Sequence, residues 1–128
     1  MTEAATDATD GEGSGDREAP PAQRISAVII QTYKAKFGKG PENIRVHLTG
    51  DTVMALLRGG FSVVEESLRA AGQAEAVRDQ RRVFGDMVAP ALAEAITEVI
   101  DREVVAVLAD TSQDPDLCVI VLVLAPRD

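Results

Sequence analysis

The sequence predicts an α+β domain: a four-stranded, mainly antiparallel sheet with helices packed on one face, in the order α-β-β-α-α-β-β. Three observations lead there. Apolar residues recur at helical spacing in two long stretches. Four short runs rich in Val, Leu and Ile carry strand patterns. Gly, Pro and Asp clusters punctuate the boundaries between them. The 128 residues leave room for a single domain.

The first twenty residues differ from the rest. Met1 to Pro20 hold six acids against the single base Arg17, a net charge of −5, and no aliphatic or aromatic residue larger than Ala apart from Met1. Such a stretch cannot bury enough apolar surface to offset the entropy of ordering it, so residues 1–21 are expected to form a disordered acidic tail ahead of a domain spanning 22–128.

Ile25, Val28, Ile29, Tyr33 and Phe37 fall three and four apart and predict an amphipathic helix over 23–37. Gly38 is its expected C-cap, with Lys34 and Lys36 near the negative end of the helix. Gly38-Lys39-Gly40-Pro41 then turns the chain. Ile44, Val46 and Leu48 alternate with Arg45, His47 and Thr49, the pattern of a half-buried strand. Gly50-Asp51 joins it as a hairpin to a second strand over 52–58, apolar on both faces, and Gly59-Gly60 ends that strand.

Ser62 and Glu65 have the spacing of a capping box and start a short helix that Gly72 should stop. A longer helix follows over 74–100. Its expected core stripe is Val77, Phe84, Met87, Val88, Ala91, Leu92, Ala95, Ile96 and Val99, which stays in phase across Pro90, so the proline should kink this helix without splitting it. Residues 103–109 and 117–124 are the last two expected strands, joined through Asp114-Pro115-Asp116.

Three of these four strands are apolar on both faces, whereas a sheet with one wet face should alternate. Three helices cover one face of such a sheet. The other face needs a cover, and a second copy of the chain is the simplest one, which predicts a homodimer. The alternative is a monomer whose first helix wraps to the opposite face.

The second half of the chain resembles a known family. Leu57-Arg-Gly-Gly-Phe61, Glu65-Glu66-Ser-Leu68, Ala71-Gly72 and Val77-Arg78-Asp-Gln-Arg81-Arg82-Val-Phe84 follow the pattern of the MpsC-like domain. So do Val104-Val105-Ala-Val-Leu-Ala-Asp and the run from Asp114-Pro115-Asp116 through Leu124. The resemblance reaches back through Gly38-Lys39-Gly40-Pro41 and covers about residues 23 to 126. It implies a largely uncharacterised module associated with a bacterial sodium-translocating, membrane-potential-generating system.

Several function classes fall away on composition. The whole chain carries −8, and residues 21–128 hold 12 bases against 15 acids; with no Trp, one Tyr and three Phe, it has neither the basic stripe nor the stacking platform of a nucleic-acid binder. The single cysteine, Cys118, excludes an internal disulfide. No basic-then-apolar leader opens the sequence, and the longest apolar run, Leu117 to Ala125, is nine residues, half of a membrane span. The expectation is a cytoplasmic protein with no direct membrane span, no cofactor and no metal.

No nucleophile, base and orienting group can be assembled, so no catalytic residue is assigned and an enzyme is the least favoured reading. The favoured one is a non-enzymatic accessory or regulatory module working by protein–protein contact, with a membrane-transport or regulatory protein as partner. The alternative is a small-anion or metabolite sensor. Its candidate ligands are Lys39, Gly40 and Arg45 around the turn after the first helix, where backbone N–H groups and cations could hold an anion, and Arg78, Arg81 and Arg82 on the long helix. Ordinary readings compete: a helix stop for the first group, and solvated charge for the second, with Asp86 one turn from Arg82 as its partner. Asp110, Ser112, Asp114 and Asp116 repeat every second residue like the start of a calcium loop, but Pro115 and Val121 stand where its glycine and closing glutamate belong. His47 falls on the wet face of its strand and Cys118 inside an apolar run, so neither suggests a ligand.

Overall fold

A computed structural model describes residues 6–7, 19–60 and 62–126. In chain order the elements are β1 (Thr6–Asp7), α1 (Pro21–Phe37), β2 (Asn43–Thr49), β3 (Thr52–Arg58), α2 (Val63–Ala70), α3 (Ala74–Ile100), β4 (Val104–Gln113) and β5 (Asp116–Leu124). The sheet is antiparallel throughout, with spatial order β1-β2-β3-β5-β4. Its four long strands and three helices follow the expected order. The two-residue β1, which pairs with Val46 and Arg45 on β2, lies within the segment expected to be a disordered tail. The remainder of that expectation, over 1–5 and 8–18, lies outside the described residues.

Local signals set most boundaries. Gly38 adopts a left-handed φ of 77°, and its N–H donates to the Lys34 carbonyl at 2.8 Å, closing α1. At the start of α2 the capping box is complete: the Glu65 N–H donates to Ser62 Oγ, and the Ser62 N–H donates to Glu65 Oε1, both at 3.1 Å. We expect Ser62→Ala to cost about 1 kcal/mol, the usual loss for a removed N-cap, read as a shift in the urea midpoint at unchanged slope.

α3 runs unbroken through Pro90 for 27 residues. Its stripe is narrower than expected: Val77, Val88, Leu92 and Ile96 are buried, whereas Met87 is exposed and Phe84 is 37 % exposed. β4 runs four residues past its expected end, to Gln113. The polar stretch Asp110 to Gln113 reads locally as a loop, but it pairs residue for residue with Asp116 to Val119 on β5. Backbone pairing to a central strand outweighs weak strand propensity.

The core forms between the sheet and two helices. Ile25 and Ile29 from α1 and Val88, Leu92 and Ile96 from α3 meet Ile44, Val46, Val53, Ala55, Ile120, Leu122 and Leu124. α1 and α3 pack against each other on that face. Arg24 fastens them, donating from Nε to the Ala19 carbonyl at 3.1 Å and from Nη1 to the Val99 carbonyl at 2.7 Å. The alternative in which the first helix wraps to the far face is therefore overturned. Among the described elements nothing covers that face, where Met54 and Leu108 are 40 % and 57 % exposed.

Candidate functional site

α1 and α3 leave between them and the sheet a cavity of about 550 Å³, within the range of small-molecule sites. Along α3 the residues Arg78, Arg82, Gly85, Ala89 and Leu92 follow one another at i, i+4, i+7, i+11 and i+14 and all line it, a single helix face. The small side chains at 85 and 89 leave the volume open; a Cβ added at Gly85 would meet nothing within 4 Å. From α1, Phe37 stacks edge-on with Tyr33 at 5.1 Å between ring centroids and tilts against Phe84 at 4.8 Å, forming an aromatic wall. Leu57, Cys118 and Ile120 form the floor.

The deep end is uncharged. The Tyr33 hydroxyl and the Cys118 thiol both line it and lie close enough to perturb each other. Burial pushes both groups above their ordinary pKa, so hydroxyl and thiol remain protonated at neutral pH.

One flank is a buried charge network. Arg81, with a side chain 12 % exposed, donates from Nε to Glu65 Oε2 at 3.0 Å, from Nη2 to Asp116 Oδ1 at 2.8 Å and from Nη1 to the Ser112 carbonyl at 3.4 Å. Burial alone would lower the Arg81 pKa, but the hydrogen bonds to Glu65 and Asp116 outweigh it, so the guanidinium stays charged. Glu65 thus caps α2 with one oxygen and binds α3 with the other. Asp116 and Ser112 bring in both strands of the second hairpin.

Five of the six residues proposed as anion ligands, Lys39, Gly40, Arg78, Arg81 and Arg82, line this one cavity. Arg45 does not: its neighbours Ile44 and Val46 point into the core, so alternation turns Arg45 to the other face of the sheet. Arg81 is committed to the protein's own acids, leaving Arg78 and Arg82, both exposed, at the mouth. The two make no hydrogen bond or ion pair with any described residue, and the expected Arg82–Asp86 pair does not form. His47 lies on the same outward face as Arg45. Among the described residues no three His, Cys, Asp or Glu side chains stand close enough together to hold a metal, and Asp116 of the calcium-like spacing is bound to Arg81.

The aromatic wall and the Glu65–Arg81–Asp116 network were not read from the sequence as parts of a site. The available signals were the Tyr33, Phe37 spacing on α1 and the capping box, which marks Glu65 without revealing its second partner.

Comparison with known proteins adds one finding. A family model described as Na+-translocating membrane potential-generating system (MpsC) matches residues 21–126. No curated protein and no solved structure matches. Among the described residues no helix is long and apolar enough to cross a membrane.

Proposed function

We propose that this chain, which belongs to the MpsC family, is a non-enzymatic accessory module of a bacterial membrane ion-transport system. It works in the cytoplasm by protein–protein contact, and its first partner is a second copy of itself. The link to ion transport comes from the family's description. The contact is supported by the uncovered sheet face.

That face is built for self-pairing. Strand register aligns Arg45, Leu56, Val119 and Asp110 in one cross-strand row, and His47, Met54, Val121 and Leu108 in the next. Both rows alternate with the core-facing residues, so their side chains project away from the helices. A row is apolar in its middle strands, basic at the β2 edge of the first row and acidic at its β4 edge. A two-fold axis parallel to the strands, between β3 and β5, lays each row on its own reverse. Leu56 then meets Val119, and Arg45 meets Asp110, twice per dimer. Stacked sheets stand about 10 Å apart, a gap that an extended arginine and an aspartate bridge together. The four strands present a face roughly 20 Å by 23 Å, apolar along its two middle strands.

Light scattering of the full chain over a concentration series tests this. The expected mass is about 27 kDa, twice the 13.6 kDa of one chain. A mass that stays at one chain up to high micromolar concentration would overturn the self-pairing.

A further inference from the structure

The cavity between α1, α3 and the sheet plays no part in that pairing, since it lies on the opposite side of the sheet. We infer that it is a binding site for a small organic carboxylate with a compact apolar body, the carboxylate held by Arg78 and Arg82 and the body seated against Phe37, Phe84 and Cys118.

The argument starts from the helix face. Arg78 and Arg82 stand one turn apart at the mouth, exposed and without partners among the described residues. Guanidinium groups donate in a fork that matches a carboxylate. Next along the same face come Gly85 and Ala89, where larger side chains would fill the space. A glycine inside a helix costs about 1 kcal/mol against alanine. Here it leaves room opposite the aromatic wall.

Charge balance decides where the anion sits. The lining holds four bases, Lys39, Arg78, Arg81 and Arg82, against three acids that face it, Glu65, Asp86 and Asp116, since alternation turns the Asp110 side chain to the outer face, so the excess of positive charge is small. Glu65 and Asp116 are neutralised by Arg81, and the deep end contains a protonated tyrosine and thiol. A charged group there would lose its hydration with nothing to replace it. An apolar body loses nothing, so the ligand's single charge belongs at Arg78 and Arg82.

Two sources supply this chemistry: a simple aliphatic acid, or an apolar α-amino acid whose ammonium would turn to Asp86, one helical turn beyond Arg82. Calorimetric titration of the full chain with octanoate and with L-phenylalanine separates them, with acetate and 1-octanol as controls for head and body alone. At least one of the two carboxylates is expected to bind at one per chain, tenfold or more tighter than either control. Binding of octanoate alone identifies an aliphatic acid. Binding of phenylalanine that is lost in Asp86→Asn identifies an amino acid. Combined Arg78→Gln and Arg82→Gln, both at exposed positions, should weaken the carboxylate tenfold or more and leave 1-octanol unchanged. Gly85→Leu should abolish binding while raising the melting temperature of the unliganded protein, because it fills the space and removes a helix glycine. Failure of both carboxylates to bind would overturn the site. So would 1-octanol matching octanoate, or affinity unchanged in the arginine variant. None of these outcomes depends on whether the chain dimerises.

Discussion

Replacing Arg81 with methionine is expected to destabilise the domain by about 3–5 kcal/mol, the usual cost of removing one partner from a buried ion network. The side chains of Glu65 and Asp116 are only 10 % and 17 % exposed, and in the variant both would remain in a low-dielectric setting without their shared cation. Because small domains have roughly 5–15 kcal/mol of stability in all, the loss should lower the melting temperature by some 15 °C or more. Arg81→Lys should recover only part of it, since an ammonium is a point charge and cannot reproduce the fork that reaches two acids and a carbonyl.

A further variant separates charge from packing. Combining Arg81→Met with Glu65→Gln and Asp116→Asn leaves no unpaired buried charge, and the amide oxygen of a glutamine in place of Glu65 can still complete the capping box. This triple variant should be clearly more stable than Arg81→Met alone. Thermal and urea unfolding would measure all four proteins. A loss below about 1 kcal/mol for Arg81→Met, or a triple variant no more stable than the single one, would show that the network does not hold α2, α3 and the second hairpin together.

The same residues show what sequence reasoning reaches. Signals that act within one turn were legible: Gly38 closing α1, Ser62 with Glu65 opening α2, Gly50-Asp51 joining β2 to β3, and the phase of α3 across Pro90. In each case the cause and the structure lie a few residues apart. Arg81 is 16 residues from Glu65 and 35 from Asp116, and nothing in local spacing reports such a meeting. It reads in sequence as one more solvated arginine beside Arg78 and Arg82.

Arg45 is the converse case. Strand alternation already implied that it points away from Ile44 and Val46. What the sequence lacked was the knowledge that Lys39, Gly40 and the α3 arginines all gather on the core side of the sheet, so proximity in the chain grouped Arg45 with the wrong set. The cavity was hidden for a related reason. Small residues at 85 and 89 look like helix filler until Phe37 is placed opposite them. The doubly apolar strands, by contrast, gave a global signal that survived: with the helices all on one face, β3, β4 and β5 present Met54, Leu56, Leu108, Val119 and Val121 on the other.

On that outer face, Val121→Lys is expected to abolish dimerisation outright. Val121 sits on β5, a central strand, between Met54 and Leu108 in its row, and the proposed two-fold axis passes beside it. A lysine there would put two ammonium groups into the apolar centre of the interface, where neither finds a partner. In the isolated chain the side chain faces outward, so the monomer should stay folded and its circular dichroism should be unchanged. The charge pairs at the edges give a sharper test of orientation. Arg45→Asp alone places acid over acid, and Asp110→Arg alone places base over base; each should weaken the dimer by roughly tenfold or more, with both pairs affected at once. The two together restore opposite charges with the signs exchanged and should recover most of the lost affinity. Sedimentation equilibrium of the four proteins gives the coupling energy directly, expected at about 1 kcal/mol or more per dimer. Simple additivity of the two losses would rule out the parallel two-fold axis even if Val121→Lys dissociates the dimer, because the same apolar face could then pair in another direction. Recovery in the double variant would fix β2 over β4 of the partner, and with it the side of the assembly on which the two α1–α3 cavities open: outward, away from the interface, both available to ligand.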